Sequence, residues 1–397
     1  MEDTMLETTS GTGEAYPFSE KYEFFIPVRL LGGEEAIWRN RELLRPLGRR
    51  CLLVTGKHSA VSSGARQDVE KALADMGIFW AVFDGIGENP RLEDCRRAAR
   101  ICRQEEADFV IGIGGGSPMD AAKAVAVLAL DPELPEEALF GKKWPGRPLP
   151  SVVVGTTSGT GSEISAVSVL TCPDGRKRSI SDSSLYPALS FGDPRYTYSM
   201  SRAATITTGL DAFAHAAEGY FSPKCGKITA SFGEMAIPVL WKNLYKLYKG
   251  EELTEAMHKE LYEASLWAGF VLAANGTSFP HPYGYVLTER YGVPHGRACT
   301  TFFPALLNRV EETAPERARQ LLDLCGCSRE ELMEVIHSMS DTDSIRMSGE
   351  EIEGLRSRFH GLKHYGNVPG GYDEERGLAV FRELFSDETN REGEKVL

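Results

Sequence analysis

Short apolar segments alternate with amphipathic segments through the first half of the sequence, and this alternation limits the possible folds more than any other feature. The apolar runs fall at Cys51–Thr55, Phe79–Phe83, Phe109–Ile113 and Ser151–Gly155. Helical periodicity occupies the intervals, at Ala65–Met76, Leu92–Gln104 and Met119–Leu130. Strands that are apolar on both faces and separated by helices are typical of a parallel sheet covered on both sides.

The pattern changes near Met200, because strand-like runs end there and helical periodicity continues alone. Helices are predicted at Ala203–Tyr220, Thr229–Lys246, Glu255–Ala274, Ser328–Met339 and Gly349–Phe359. A turn-like segment, Asp193–Ser201, separates the two halves. We therefore predict a flexible tail (1–20), an α/β domain with a Rossmann-like parallel sheet (21–198) and an all-helical C-terminal domain (199–397).

Charge and hydropathy exclude several classes of partner. The net charge of −13 repels phosphate backbones and anionic lipids. No apolar run approaches the roughly 20 residues of a membrane span, and the N-terminal segment lacks the parts of a signal peptide. The eight cysteines are scattered, as reduced packing residues would be. We expect a cytoplasmic protein that binds neither nucleic acid nor membranes.

Two loops rich in glycine and hydroxyl side chains follow predicted strands. The first, Gly112–Asp120, places three successive glycines before a helix, where backbone N–H groups can face a phosphate. It is not the G-x-G-x-x-G fingerprint, since Ser117 stands where the last glycine belongs. The second loop is Thr156–Glu163. Loops at the carboxyl ends of neighbouring strands are where open α/β sheets bind ligands, although either loop alone is also compatible with an ordinary turn.

Three histidines and one aspartate form a candidate metal site. Asp211 and His215 are four residues apart in a predicted helix, which puts both side chains on one face. His281 and His295 follow, and each adjoins a proline. Three imidazoles and a carboxylate can hold a divalent first-row metal and leave a position open for substrate. Spacing alone does not bring the four together, and a surface Asp–His pair remains the alternative.

Four motifs in this order resemble the iron-containing (group III) alcohol dehydrogenase family, over about Phe25 to Pro304. They are GGGSPMDAAK from Gly114, TTSGTGSE from Thr156, GLDAFAHAAEGY from Gly209 and HPYGYVLTERYGVPHG from His281. The resemblance implies an α/β dinucleotide-binding domain, a helical metal-binding domain and an active site between them. It also implies hydride transfer between a nicotinamide dinucleotide and a small alcohol or aldehyde.

Site residues follow from the same motifs, position by position. The resemblance implies that Asp211, His215, His281 and His295 bind Fe²⁺, or alternatively Zn²⁺. The implied cofactor contacts are Gly114, Gly115, Gly116, Ser117, Asp120, Thr156, Thr157, Ser158, Thr160 and Lys177, with Asn89 as a further candidate. Arg178 is the alternative to Lys177.

One position departs from the family pattern. Many members carry a further histidine four residues after the third ligand, whereas this sequence has Tyr285. Tyr285 is therefore a candidate catalytic hydrogen-bond donor, and the proton path stays open. Some members of the branch that the sequence resembles, the 1,3-propanediol and butanol dehydrogenases, also have tyrosine there.

The end of the first predicted strand bears on the choice of cofactor. Members that prefer NAD(H) usually have an aspartate there that binds the adenosine ribose, whereas this chain has Gly56. Without that carboxylate a 2′-phosphate is not repelled. Lys57, His58 and Ser59 can contact it. We predict a preference for NADP(H) over NAD(H).

Two other classes of function remain open at this stage, a different enzyme and a non-catalytic protein. Glycerol dehydrogenase and dehydroquinate synthase resemble this general architecture but have different ligand patterns. A non-catalytic dinucleotide-binding protein is the alternative of another class. The resemblance also implies a homodimer, and it leaves the physiological substrate undetermined.

Overall fold

The computed structural model describes residues 18–386, and it contains a six-stranded parallel sheet in the first half of the chain. The strands are β1 (Arg29–Gly32), β2 (Arg50–Thr55), β3 (Phe79–Phe83), β4 (Phe109–Gly114), β5 (Ser151–Gly155) and β8 (Leu189–Gly192), in the order β1-β8-β5-β4-β2-β3. The short strands β6 (Val167–Thr171) and β7 (Lys177–Ser181) form a separate antiparallel pair. The predicted parallel sheet is confirmed.

Helices cover both faces of this sheet. They are α1 (Ala36–Arg39), α2 (Ser59–Ser62), α3 (Ala65–Met76), α4 (Leu92–Gln104), α5 (Gly116–Leu128) and α6 (Glu136–Phe140). One apolar cluster joins the sheet to α4 and α5, and another joins it to α3. The central strands β4 and β5 are buried along their whole length. Burial on both faces explains why their sequences read as continuous apolar runs.

The second half of the described chain is built from helices. They are α7 (Arg202–Phe221), α8 (Lys227–Tyr248), α9 (Glu255–Asn275), α10 (Pro280–Tyr291), α11 (His295–Thr300), α12 (Phe303–Thr313), α13 (Pro315–Cys325), α14 (Arg329–Ser340), α15 (Gly349–Glu353), α16 (Arg356–Phe359) and α17 (Glu374–Phe385). A third apolar cluster forms their common core. The all-helical character of this half is confirmed, while the domain boundary at residue 198 stays a prediction.

Most of the predicted tail, residues 1–17, lies outside the described residues, but its last residues contact the helical half. Phe18 is buried against Tyr220, with ring centroids 5.2 Å apart. The backbone N–H of Ser19 donates to the carbonyl of Cys225 at 2.8 Å. No helix between residues 18 and 386 is long and apolar enough to span a membrane.

Candidate metal and cofactor site

Helices α7, α10 and α11 bring the four predicted metal ligands together. The Nε2 atoms of His215, His281 and His295 each lie 3.7 Å from Oδ1 of Asp211. Ligand atoms around a tetrahedral ion at about 2.1 Å are roughly 3.4 Å apart, so these distances fit a shared ion. Residues that are up to 84 positions apart in the sequence, from Asp211 to His295, therefore converge at one point.

A side-chain cap and two close approaches at glycines fix the positions of these helices. The side chain of Ser201 caps the start of α7 by accepting a hydrogen bond from the N–H of Ala204. Gly296 lies so close to α7 that a Cβ atom there would be 2.0 Å from the carbonyl oxygen of Thr207. The third contact is at Gly284, where a Cβ would be 2.8 Å from the nitrogen of Cys299. Glycine at position 296 lets α11 approach α7, and glycine at position 284 lets α10 approach α11.

Hydrogen bonds orient two of the three imidazoles. Nδ1 of His281 is 2.7 Å from Oε1 of the fully buried Glu218, whose other oxygen accepts from both the backbone and the hydroxyl of Ser278. Nδ1 of His215 donates to the carbonyl of Gly159 at 3.2 Å. A donor role for Nδ1 leaves the Nε2 lone pair free for a metal, as in other metal-binding histidines.

Two buried polar atoms at the centre have no hydrogen-bond partner within the described chain. They are Oδ1 of Asp211 and Nε2 of His281. A buried carboxylate oxygen and a buried imidazole nitrogen without partners are costly, and a divalent cation satisfies both. The residues present therefore fit a divalent metal ion.

Burial and neighbouring charges shift the pKa values of Asp211 and of its histidine neighbours in different directions. Burial favours its neutral form, but His215, His295 and His281 outweigh burial and lower the pKa of Asp211 below its usual range. Burial lowers the pKa of His295 to about 3. His281 differs because Glu218 and Asp211 overcome burial and raise its pKa to about 9. The carboxylate is thus ionised at neutral pH, as a metal ligand must be.

The two glycine- and hydroxyl-rich loops lie side by side. Gly114 at the end of β4 pairs with Gly155 at the end of β5. A Cβ on Gly115 would lie 3.1 Å from Thr157, and one on Gly116 would lie 2.8 Å from Thr160. The glycines are therefore required by the threonines of the second loop, as well as by any phosphate at the start of α5.

Several hydroxyl groups of the second loop are buried without partners in the part of the chain that the structure describes. They are Oγ1 of Thr156, Oγ1 of Thr157 and Oγ of Ser158. The N-terminus of α5 opens beside them at Gly116, with its unpaired N–H groups and positive end of the helix dipole. This arrangement fits an anionic group such as a pyrophosphate.

Six of the predicted cofactor residues line one cleft of about 710 Å³, which also contains the four metal-site residues. They are Asn89, Gly116, Ser117, Asp120, Thr160 and Lys177. Gly56, Lys57 and Ser59 lie at the end of β2, where Lys57 is exposed, and they are not among the residues that line this cleft.

Two charged residues, Lys123 and Asp120, make hydrogen bonds with Ser162 of the second loop. Nζ of Lys123 donates to the carbonyl and to the hydroxyl of Ser162, both at 2.8 Å. The carboxylate of Asp120 accepts from the Ser162 hydroxyl at 2.6 Å and from the backbone of Val169 at 2.9 Å. Burial lowers the pKa of Lys123 to about 8 and raises the pKa of Glu163, the last residue of the loop, to about 7.

Tyr285 lies between the metal ligand His295 and Lys177, the first residue of β7. Its ring stacks on His295 with centroids 5.5 Å apart, and Nζ of Lys177 is 5.1 Å from the Tyr285 ring centroid. Burial raises the pKa of Tyr285 above its usual range, so its hydroxyl is protonated at neutral pH.

Sequence analysis missed two residues of this site. Glu218 lies seven residues after Asp211, a helical spacing that puts it on the same face and could have revealed it. Cys299, interpreted as a packing residue, has its sulfur 3.5 Å from Nδ1 of His295. The ligand atoms of Asp211, His281, His295 and Cys299 all lie within 4.8 Å of one another. Cys299 follows His295 by one helical turn.

A dinucleotide-type sheet joined to a buried cluster of imidazoles defines a class of metal-dependent oxidoreductases, and comparison with known proteins identifies the family. The model of iron-containing alcohol dehydrogenases matches residues 27–194, and the model of their C-terminal region matches residues 205–347. The chain belongs to the iron-containing alcohol dehydrogenase family, whose members transfer a hydride between a nicotinamide dinucleotide and an alcohol or aldehyde.

Individual relatives agree with this assignment. The 1,3-propanediol dehydrogenase of Klebsiella pneumoniae is 30% identical over 310 residues, which is 77% of this chain and 79% of that protein. The NADPH-dependent butanol dehydrogenase of Clostridium saccharobutylicum is 29% identical, covering 78% and 80% respectively. The crystal structure of an iron-containing alcohol dehydrogenase from Thermotoga maritima has a TM-score of 0.85 and 35% identity, over 92% of this chain and 99% of that chain.

Proposed function

We propose that this enzyme interconverts small primary alcohols or diols and the corresponding aldehydes, using a divalent metal held by Asp211, His215, His281 and His295. The observation that carries the proposal is the geometry of these residues, with three Nε2 atoms each 3.7 Å from one oxygen of Asp211. Fe²⁺ is the proposed ion because the family match is to iron-containing enzymes, and Zn²⁺ is the alternative.

The metal, when bound, supplies Lewis-acid polarisation of the substrate oxygen. The chain's own residues hold the reacting groups in place. Glu218 fixes the ring of His281 through the bond at Nδ1. The protonated hydroxyl of Tyr285 is a proton donor or relay beside His295. The nicotinamide ring is expected in the same cleft, where Lys177 and Thr160 lie.

The dinucleotide is proposed to bind along the two loops. Its pyrophosphate would face the N-terminus of α5, and the partnerless hydroxyls of the second loop are available to it. The proposed contacts are those predicted from the motifs: Gly114, Gly115, Gly116, Ser117, Asp120, Thr156, Thr157, Ser158, Thr160 and Lys177, with Asn89 as a further candidate. Asp120 would act by holding Ser162, since both of its oxygens already accept hydrogen bonds.

NADP(H) is proposed as the preferred cofactor. Gly56 removes the carboxylate that would repel a 2′-phosphate, and the exposed Lys57 and His58 beside it can attract one. The match to an NADPH-dependent butanol dehydrogenase is consistent with this proposal. A higher kcat/KM with NADPH than with NADH would support it, and a clear preference for NADH would contradict it. We further propose a cytoplasmic homodimer, with the domains divided near residue 198.

The whole proposal can be tested with purified protein. Chelator-treated protein should neither reduce butanal nor oxidise 1,3-propanediol, and equimolar Fe²⁺ or Zn²⁺ should restore turnover, followed by the absorbance of reduced nicotinamide. Metal content measured on the same sample shows whether the ion is bound. Turnover that persists without any bound metal would contradict the proposal.

A further inference from the structure

A group of basic side chains lines the cleft on its helical side. Lys224 follows α7, and Lys363 and His364 lie in the short helical segment Lys363–Asn367. All three line the cleft that contains Asp211 and His281. We call Lys224, Lys363 and His364 the basic pocket.

Among residues 18–386, the cleft is lined by no carboxylate that is free to pair with Lys224 or Lys363. The acidic side chains that line it in this part of the chain are Asp120 and Asp211. Asp120 already accepts from Ser162 and Val169, and Asp211 faces three imidazoles. Between residues 18 and 386, the ammonium groups of Lys224 and Lys363 make no ion pair. An uncompensated positive region in a chain of net charge −13 points to an anionic ligand.

His364 is the member of the basic pocket that lies near the metal ligand His281. Nδ1 of His364 is buried and has no hydrogen-bond partner in the described chain. Burial lowers the pKa of His364 to about 4, and the charges of His281, Lys363 and Lys224 act in the same direction against the opposing charge of Glu218. A neutral ring with an unused nitrogen therefore lies close to the metal-site histidine and to both lysines.

The basic pocket and the dinucleotide loops belong to different parts of the molecule. The loops follow β4 and β5 in the α/β half, whereas the basic pocket is built from segments of the helical half. Asn367 ties the segment of His364 to the end of α9, because its amide donates to the carbonyl of Thr277 at 2.8 Å. The proposed pyrophosphate contacts and the basic pocket are therefore formed by different segments of the chain.

We propose that the basic pocket binds the anionic end of the substrate, which is an aldehyde or alcohol that carries a carboxylate, sulfonate or phosphonate. This inference rests on the proposed function. In the reduction, the nicotinamide gives a hydride to the carbonyl carbon and a proton is added to the oxygen, while the anionic group is unchanged. Charge-assisted hydrogen bonds from two ammonium groups hold that group and orient the carbonyl at the metal.

The test compares aldehydes of equal chain length that differ in charge. With metal-loaded enzyme and NADPH, kcat/KM for succinate semialdehyde should exceed that for butanal by about tenfold or more, and added salt should reduce the difference. Sulfoacetaldehyde and phosphonoacetaldehyde, each compared with propanal, show which anionic group is preferred.

Variants of the two lysines test whether these residues cause the preference for anionic aldehydes. The double variant Lys224→Gln/Lys363→Gln should raise KM for the anionic aldehyde by about tenfold and leave butanal turnover and metal content unchanged. Lys259→Gln, at an exposed position of α9, is the matched control and should change nothing.

Three outcomes would overturn the inference. Equal kcat/KM for charged and neutral aldehydes, with normal butanal turnover, would overturn it and leave the proposed function intact. A charge preference that survives in the double variant would overturn the assignment to these lysines. No turnover of any aldehyde by metal-loaded protein would overturn the proposed function as well.

Discussion

The cofactor loops and the metal cluster present different chemical groups to their ligands. The loops present backbone N–H groups and small hydroxyls, contributed by two contiguous segments at neighbouring strand ends. The metal cluster presents four long side chains from three helices. The first surface is set by main-chain geometry, and the second by packing between distant parts of the chain. A substitution in the loops should therefore weaken dinucleotide binding and spare metal binding, and a substitution in the metal cluster should do the reverse.

The largest effect is expected for His281→Ala, which removes a metal ligand. Turnover should fall by at least about a thousandfold, because the polarising ion is lost or misplaced. The fluorescence of bound NADPH should show that dinucleotide affinity is nearly unchanged. His360→Ala, at an exposed histidine, is the control and should retain full turnover. Full metal content with normal turnover in His281→Ala would refute the ligand assignment.

A smaller effect is expected for Glu218→Gln, because this residue acts through His281. The amide cannot supply the same charge to Nδ1, and metal affinity should fall by about 10- to 100-fold. Added metal should restore much of the turnover, which would distinguish positioning from ligation. Competition with a chromogenic chelator measures the affinity. An unchanged metal affinity would mean that Glu218 only packs.

On the cofactor side, Gly116→Ala should raise KM for NADPH by about tenfold and leave the metal content intact. The new Cβ would lie 2.8 Å from Cγ2 of Thr160 and would push the two loops apart. Adding Thr160→Ser removes that methyl group, so the double variant should recover part of the affinity. If Gly116→Ala instead lost metal, the two surfaces would not be separable.

The smallest effect on turnover is expected for Glu163→Gln, which should change the pH dependence of stability. The pKa of Glu163 is raised from 4.5 to about 7 in the folded state, so the folded chain retains a proton that the unfolded chain releases. This contribution is present below pH 4.5 and is lost as pH rises to about 7. Relative to wild type, the variant should gain up to about 3 kcal/mol across that window. Parallel curves from urea unfolding would contradict the assignment.

Long, periodic elements could be predicted from the sequence, and short ones could not. The strands Phe79–Phe83 and Ser151–Gly155 and the helices α3 and α4 were predicted with their observed ends. The edge strand β1 and the strand β8 have four residues each, too few to show a period. The segment predicted as one helix over Gly349–Phe359 is divided into α15 and α16.

The candidate site shows the same limit. The motifs identified the residues that the structure brings together, because each motif is contiguous and its glycines and histidines are distinctive. Cys299 was missed because a cysteine is usually a packing residue and this one acquires its role only when helices pack, whereas the helical spacing of Glu218 from Asp211 was a signal that was not used. The basic pocket was missed for another reason: Lys224 and Lys363 are far apart in sequence and are joined only by the fold. A charged pocket whose residues come together only on folding cannot be recognised from any single segment of the sequence.

The close approach at Gly296 has a consequence for metal exchange. Because the main chains of α7 and α11 touch there, the separation of Asp211 from His295 cannot widen without unpacking two helices. An ion of larger radius would have to be accommodated by torsions of His215, which lies on α7 itself, and of His281, which lies on α10. Attempts to alter metal selectivity by directed evolution should therefore find their productive changes around those two rings, with Gly296 retained throughout.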